Sequence, residues 1–470
     1  MKDRLDQVVE IVLKKLEGVS GVPRRTVLRQ LLEVVFLATM RTEEGRPIRG
    51  TITFANPTDP DPDAPPRRRA YYPEFTYLGD SIEFNVASLV MLSRAIDGWA
   101  GSIVVFGTRL SNLRVWGVLD QLVHLNVRLH YEGSHGIAPG LFSVHMDGIG
   151  ALSVYYGDLL LARLQQDRII RREYDALRSP SVWARVQPSL QAQARQIALV
   201  TDQPDSEKWI LTQLWEEWTT SVSRLCIGLR RLQTGGAFLL TPKPTFQALD
   251  ITTALSYTRL CNATVLSVLD STYESKLRQR LWSTEAMIPA SIAADHLLAQ
   301  VDARDRELEL AGAVRLVTSF ASVDGLVLMS PDLAVLGFGV KIRTDVDPGL
   351  VFDGPAFARR KTNAKCIDPH RFGTRHGSML QYCSLDKQAI GIVVSQDGSV
   401  RIILCEEGQL TLWDDVKLLQ HDSDHARYLK WENSTREWRK RDRFKPTRGY
   451  TGMPKTIEDL AVGGATNDAG

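Results

Sequence analysis

The feature that most constrains the fold is a pair of apolar runs in the second half of the chain. SVDGLVLMS (322–330) and LAVLGFGVKI (333–342) are separated only by Pro331 and Asp332. Short β-rich runs divided by turn-forming residues are typical of paired strands. The sequence therefore predicts a hairpin here, as part of a larger sheet.

Further strands and helices surround this pair. AIGIVVS (389–395) and SVRIILC (399–405) form a second predicted pair, joined by a Gln-Asp-Gly turn. Helical spacing predicts helices over roughly 251–284 and 290–320. Helices feeding a partly hairpin-built sheet indicate an α/β or α+β domain over about 206–420.

The rest of the chain changes in composition and in the spacing of its apolar residues along its length. Apolar residues at helical spacing open it, short strand-like runs follow, and a polar stretch with three prolines then suggests a linker. The end of the chain is basic, then rich in Gly, Asn and Thr. The predicted divisions are N-terminal helices (1–45), a strand-rich sensor-like domain (46–170), a linker (171–205), the α/β domain (206–420) and a basic, partly disordered tail (421–470).

Charge and cysteine content exclude several classes of protein. The formal net charge of the 470-residue chain is +2, which argues against a nucleic-acid coat and against a membrane surface. The five cysteines are widely spaced without a C-x-x-C pair, as expected for reduced thiols rather than a disulfide framework or zinc ribbon. We therefore expect a cytoplasmic protein with no membrane partner.

The first candidate site feature is Asp324-Gly325, which falls inside an apolar run. Because the next residues already supply a hairpin turn, we favour Asp324 at a strand end with its carboxylate facing a site. Gly325 would then let a ligand approach the backbone. The alternative is a bulge with a solvated aspartate.

The second feature is GTRHGSM, residues 373–379. Gly373 permits a turn whose N–H groups converge on phosphate oxygens. Arg375 can grip two oxygens, His376 can bind a metal or donate to oxygen, and Thr374 and Ser378 add hydroxyls. The alternative is an ordinary helix N-terminus capped by Thr374.

These two motifs, in this order, resemble the core of the diadenylate cyclase (DAC, or DisA-N) domain. That family carries Asp-Gly-Ala on one strand, Gly-Thr before Arg-His-Arg, and a later strand ending in Val-Ser-Glu. The resemblance covers about 320–410, and 206–320 more loosely. The SVDG, GFG and GTRH-S pattern resembles a side branch labelled DACNV even more closely, a probable sensor that recognises nucleotides.

The resemblance implies roles for individual residues. Asp324 matches the metal-binding acid that helps to activate a ribose hydroxyl, and Ser395 matches a serine near the purine or phosphates. Arg375 and His376 match phosphate and metal contacts, so Mg²⁺ or Mn²⁺ would lie between Asp324 and His376. The implied nucleotide-binding set is Asp324, Gly325, Leu326, Gly373, Thr374, Arg375, His376, Ser378, Ser395 and Gln396, with Asp324, Arg375 and His376 catalytic in an active enzyme.

Three positions depart from the cyclase pattern. Gly377 replaces the second arginine of Arg-His-Arg, Leu326 replaces the alanine of Asp-Gly-Ala, and Gln396 replaces the glutamate. Losing a hydrogen bond to a charged group costs about 1.5–3 kcal/mol, so two such losses would slow phosphoryl transfer severely. Asp324, Arg375 and the backbone could still support nucleotide binding. Arg371 and the basic residues 359–361 could substitute for the missing guanidinium.

Three functional hypotheses follow. The first is a nucleotide-binding sensor or signalling protein that binds ATP or another nucleotide and passes the signal to a downstream effector. The second is a metal-dependent diadenylate cyclase, in which two domains of a homo-oligomer face each other and join two ATP into cyclic di-AMP. The third is an interaction protein whose cyclase-like fold has lost its ligand.

Two other motifs are weaker candidates for a binding site. His135, His145 and Asp147 could bind a metal if a hairpin aligned them, but two exposed histidines are the simpler reading. REWRKRDRFKPTR (436–448) is read as a solvated helix end, with single-stranded nucleic acid as the alternative contact.

Overall fold

The computed structural model describes residues 2–19, 21–56, 75–96, 101–109, 112–120, 141–157, 159–170, 174–202, 204–232, 234–282, 290–358, 366–396 and 398–418. His135 and the basic run 436–448 lie outside these residues. The described part combines helices with two mixed sheets, which confirms the predicted α+β class.

The N-terminal half is an eight-stranded sheet covered on one face by helices. Its order is β10-β9-β8-β7-β3-β5-β6-β4, with only the β3–β5 pairing parallel among the described strands. Apolar residues of the helices pack with alternate strand residues such as Ile52, Val144 and Val154. The elements are α1 (Lys2–Lys15), α2 (Arg25–Thr39), a small β1–β2 pair (Thr42–Glu43, Arg46–Pro47), β3 (Gly50–Phe54), β4 (Phe75–Glu83), α3 (Val86–Ala95), β5 (Gly101–Phe106), β6 (Arg114–Asp120), β7 (Phe142–Gly148), β8 (Ala151–Tyr156), β9 (Leu159–Gln165) and β10 (Arg168–Ile170).

The opposite face of this sheet carries buried polar residues beside a small buried apolar cluster of Ala55, Val104, Leu119 and Leu141. Because strand side chains alternate between faces, the neighbours of the apolar residues point the other way. Thr53 and Ser102 share a hydrogen bond of 2.7 Å there. His145 lies on the same face, 3.1 Å from Ser143 Oγ, so the expectation of an exposed histidine at this position is wrong.

The C-terminal half is a nine-stranded sheet between two helical layers. Its order is β12-β14-β13-β11-β17-β18-β19-β15-β16, and the β11–β13 and β15–β19 pairings are parallel. The predicted pairs β13–β14 and β17–β18 are both present and antiparallel. The elements are α4 (Pro180–Val200), α5 (Glu207–Leu232), β11 (Gly236–Leu240), β12 (Leu249–Tyr257), α6 (Arg259–Trp282), α7 (Ala290–Ala321), β13 (Leu326–Met329), β14 (Val335–Ile342), β15 (Val351–Asp353), α8 (Gly354–Ala358), β16 (Cys366–Ile367), α9 (Thr374–Leu385), β17 (Ile390–Val394), β18 (Val400–Glu406) and β19 (Gln409–Trp413).

Alternation along the strands divides the core into two layers. Phe238, Val327 and Ile402 face helices α4 to α7. Ala237 and Leu326 face α9, whose Met379 and Leu380 are fully buried against the sheet. Helix α9, which begins inside the GTRH segment, is therefore fixed on the sheet by its own apolar residues.

Two expectations about local structure are wrong. The stretch 171–205 contains the 21-residue helix α4, whose apolar side is buried against α5, so it is part of the core rather than a linker. Its prolines stand at the first helical turn and inside the helix at Pro188. The expected helix over 251–284 begins only at Arg259, because residues 249–257 form the edge strand β12, with alternating burial.

None of the helices in the described ranges is both long enough and apolar enough to cross a lipid bilayer.

Candidate functional site

Three strands of the C-terminal sheet end at the same level. Phe238 of β11 is paired with Val327 of β13 and with Ile392 of β17. Continued along the strands, this register places Gly235 between Asp324 and Ser395. Because neighbouring strands lie about 4.8 Å apart, the backbones at Asp324 and Ser395 are about 10 Å apart. The sheet thus brings the Asp-Gly segment and Ser395 to one edge, by which we mean the end of the sheet where β11 and β13 begin and β17 ends.

Asp324 is strongly exposed at this edge. It lies just before β13, its side chain is 84% exposed, and its Oδ2 is 3.2 Å from Lys341 Nζ on β14. The carboxylate is therefore open to solvent on most sides, with one cation beside it. The pairing of β13 with β14 shifts in register from Leu326, two residues after Asp324. The segment therefore also shows the irregular pairing and the solvated aspartate of the alternative prediction.

Gly325 is required by the backbone itself. Its φ is +113°, and a Cβ placed there would lie 2.6 Å from the carbonyl carbon of Gly339. Any side chain would therefore be strained and would collide with the neighbouring strand. This explains the glycine without a ligand.

Helix α9 begins at Thr374, with Gly373 at the N-cap. Thr374 is the first helical residue rather than the cap, so the reading of a Thr374-capped helix is wrong, and no side chain caps the helix. Gly373 has φ −66° and ψ 170°, an extended conformation open to any residue, and a Cβ there would meet nothing within 4 Å. The helix start is thus uncapped, with N–H groups at its first turn.

Arg375 reaches the sheet edge. Its Nη1 lies 2.9 Å from where a Cβ on Gly235 would stand, so the guanidinium occupies space that a side chain at 235 would fill. Gly235 has φ +64° and is also close to the backbone N of Gln396. Arg375 therefore lies at the strand end that separates Asp324 from Ser395.

His376 is buried beside a second guanidinium. Its ring stacks on Phe372 with centroids 5.4 Å apart, and its Nε2 lies 3.1 Å from Arg401 Nη1 and 3.5 Å from Ser395 Oγ. A guanidinium only donates hydrogen bonds, so Nε2 accepts one from Arg401. That atom then has no lone pair for a metal and faces a positive charge, so His376 does not fit the role of metal ligand through Nε2. Among the described residues no group of three His, Cys, Asp or Glu side chains could hold a metal ion.

Arg401 and Lys341 are site residues that the sequence reasoning missed. Arg401 Nη1 also donates to Ser395 Oγ at 3.1 Å, and its Nε lies 3.0 Å from Asp414 Oδ1. Both residues are single charges within apolar strand runs, a signal that could have identified them. The proposed substitutes at 359–361 lie outside the described residues, and Arg371 instead stacks on Phe372 at 4.7 Å.

The remaining members of the expected set are placed differently. Leu326 is buried in the apolar core against α9, away from solvent. Ser378 donates its hydroxyl to the Arg375 carbonyl at 3.3 Å, within the helix. Thr374 and Gln396 are exposed at the edge. The edge thus gathers Asp324, Lys341, Arg375, His376, Ser395 and Arg401.

A family model matches part of the chain. No curated protein and no solved structure matches the chain. The matching family model is described as probable sensor domain DACNV, and it covers residues 17–120. These residues run from the end of the first helical segment to β6, and so include neither Asp324 nor the GTRH segment. The match supports a sensor role, and over this region the chain is similar to the probable sensor domain of the DAC-related branch that the sequence resemblance indicated.

Proposed function

We propose that the protein is a signalling sensor whose C-terminal domain binds a nucleotide at the sheet edge formed by β11, β13 and β17. The observation that carries this proposal is the position of Arg375 at Gly235, between Asp324 and Ser395. A guanidinium can hold two phosphate oxygens at once, and an uncapped helix start adds N–H donors on the same side. The ligand is thus an anion with several oxygens, such as ATP.

In this proposal, Asp324 is the residue that binds a divalent metal ion. Magnesium in nucleotide sites commonly takes one or two protein carboxylates and completes its shell with phosphate oxygens and water. The exposed Asp324 carboxylate fits such a ligand, whereas His376 Nε2 is engaged by Arg401. Mg²⁺ or Mn²⁺ would neutralise phosphate charge next to Asp324, and Lys341 would remain as a second cation at that carboxylate.

Calorimetric titration of the full chain with ATP and other nucleotides, with and without Mg²⁺, tests the proposal. Losing a charge-assisted hydrogen bond costs about 1.5–3 kcal/mol, so Arg375→Ala should weaken binding about 10- to 150-fold. Asp324→Ala should weaken the binding measured with Mg²⁺ more than that measured without it.

Two matched variants control for loss of charge alone. Asp250→Ala removes an exposed aspartate that pairs with Arg343 at 3.2 Å, the same distance as in the Asp324–Lys341 pair. Arg259→Ala removes an exposed arginine that pairs with Glu309. Both should bind like the wild type. If no nucleotide binds, or if the site and control variants bind equally, the proposal is wrong and the interaction-protein alternative is favoured.

The cyclase alternative has one structural point in its favour. Arg401 supplies a guanidinium next to His376, where Gly377 supplies none. Asp414 balances that charge, however, so binding without turnover is the function we favour. Incubation with ATP and Mn²⁺ followed by mass spectrometry decides between them, because sustained formation of cyclic di-AMP would make the protein an enzyme.

A cytoplasmic location, a downstream effector and self-association through the C-terminal domain complete the proposal. The cysteines support the location, because all five are free and widely spaced along the chain.

A further inference from the structure

The two halves of the molecule meet at a pair of adjacent carboxylates. Asp414 and Asp415 directly follow β19 of the C-terminal sheet. Arg168, on the edge strand β10 of the N-terminal sheet, lies 3.4 Å from Asp414 Oδ2 and 3.1 Å from Asp415 Oδ2. A charge of the N-terminal half is therefore paired with acids of the C-terminal half.

Backbone hydrogen bonds hold this junction in register. The Tyr174 N–H donates to the Asp415 carbonyl at 3.0 Å, and the Lys417 N–H donates to the Tyr174 carbonyl at 2.7 Å. Asp415 has φ +53°, a left-handed conformation that is uncommon outside glycine but is adopted by aspartate and asparagine more often than by other residues. The segment is thus fixed in an unusual conformation at the point where the two halves touch.

The same carboxylate pair reaches the candidate site. Asp414 Oδ1 lies 3.0 Å from Arg401 Nε, and Arg401 Nη1 donates to both His376 and Ser395 at 3.1 Å. Within the described part of the chain this Nε–H has no aligned hydrogen bond, so the contact with Asp414 is held by charge. One carboxylate therefore stands between Arg168 of one sheet and Arg401 of the other.

We propose that Asp414 couples the N-terminal sheet to the nucleotide site by sharing its charge between Arg168 and Arg401. This inference rests on the proposed function, because the coupled quantity is affinity for an anionic nucleotide. With Arg168 in place, the charges of the two acids are offset by Arg168 and Arg401, and Arg163 of β9 also acts on Asp415. When Arg168 moves away, the acid pair loses one of these positive charges, so it holds Arg401 more strongly and repels phosphate.

The expected change in ATP affinity follows from how far Arg168 lies from the site. Three successive contacts of about 3 Å link Arg168 to His376 through Asp414 and Arg401, a span over which unit charges still interact at the dielectric of a protein surface. Arg168→Gln should therefore weaken ATP binding about two- to tenfold, and added salt should reduce the difference. Combining it with Asp415→Asn removes one positive and one negative charge, so the double variant should recover most of the affinity.

The chain offers a close control. Arg94 in α3 has 52% of its side chain exposed and pairs with Glu43 at 2.6 Å and Glu44 at 3.4 Å. Arg168 is 51% exposed and likewise pairs with two adjacent acids. Because Arg94 has no contact with the Asp414 pair among those described, Arg94→Gln should leave ATP affinity unchanged.

A second readout separates this inference from the proposed function. The imidazole signal of His376, assigned with a His376→Gln variant in histidine-labelled protein, reports the environment of Arg401 without any nucleotide. Arg168→Gln should move this signal and Arg94→Gln should not. If ATP does not bind to the wild type, the proposed function fails while this signal still decides the coupling. A His376 signal that Arg168→Gln leaves in place, or an ATP affinity that it changes no more than Arg94→Gln does, overturns the inference.

Discussion

At the scale of single residues, the glycines show which part of a motif serves the backbone and which part is free to serve a ligand. Gly325 and Gly235 both have positive φ, and a Cβ on Gly325 would collide with backbone at 2.6 Å, whereas Gly373 and Gly377 have open space around them. The glycine of the Asp-Gly pair is thus fixed by the fold. The charged neighbours, Asp324 and Arg375, are what remains for recognition.

Gly325→Ala tests this distinction. A Cβ at φ +113° and 2.6 Å from backbone should destabilise the protein by about 1–3 kcal/mol or more, as measured by urea unfolding. Gly377→Ala is the matched control: its Cβ meets nothing within 4 Å, and alanine is the better helix former, so stability should rise by up to about 1 kcal/mol. Equal effects of the two substitutions would contradict the backbone role of Gly325.

At the scale of elements, one tryptophan of helix α5 anchors the helix to the turn that joins β13 to β14. Trp218 is fully buried, stacks on Trp215 with centroids 5.3 Å apart, and donates its indole N–H to the Pro331 carbonyl at 2.8 Å. A side chain that fills the core also satisfies a turn carbonyl. The helix therefore fixes the hairpin whose other end carries Asp324.

Trp218→Ala should cost about 3–5 kcal/mol of unfolding free energy, because it leaves a large cavity and an unpaired carbonyl. Trp209→Ala, in the same helix but 41% exposed, is the control and should cost much less. Denaturant unfolding followed by circular dichroism measures both. A similar cost for the two variants would show that α5 is not anchored at Pro331.

At the scale of the whole molecule, two sheets are joined through a junction that carries charge. Burial, then the neighbouring Asp414, raises the pKa of Asp415, while Arg168, Arg401 and Arg163 oppose the rise. A carboxyl whose folded pKa lies above its usual 3.8 binds protons more tightly in the folded state. Its charge therefore costs stability at neutral pH, and this cost disappears as the pH falls through the raised pKa.

The stability of the wild type relative to Asp415→Asn, measured as a function of pH, tests the direction of this effect. The wild type should gain stability relative to the variant as the pH is lowered from 7 into the acid range, and the difference should level off below about 3.8. Urea unfolding at a series of pH values measures it. A difference that grows in the opposite direction would mean that pairing with Arg168 outweighs burial at Asp415.

Much of the fold could be predicted because its signals are local. The two hairpins follow from apolar runs bounded by turn residues, and α7 from its helical spacing, since such patterns depend only on near neighbours. The helix α4 was missed because prolines and polar residues dominate its sequence, while the apolar side that stabilises it matters only against α5.

The sequence by itself determined the two hairpins, the mixed class and the two motif segments, because each depends on a short run of residues. Only the tertiary structure decided that Arg401, Lys341 and Asp414 stand next to those segments, and that Arg168 reaches across from the other sheet. These charges come from strands distant along the chain, and strand order, register and side-chain alternation bring them together.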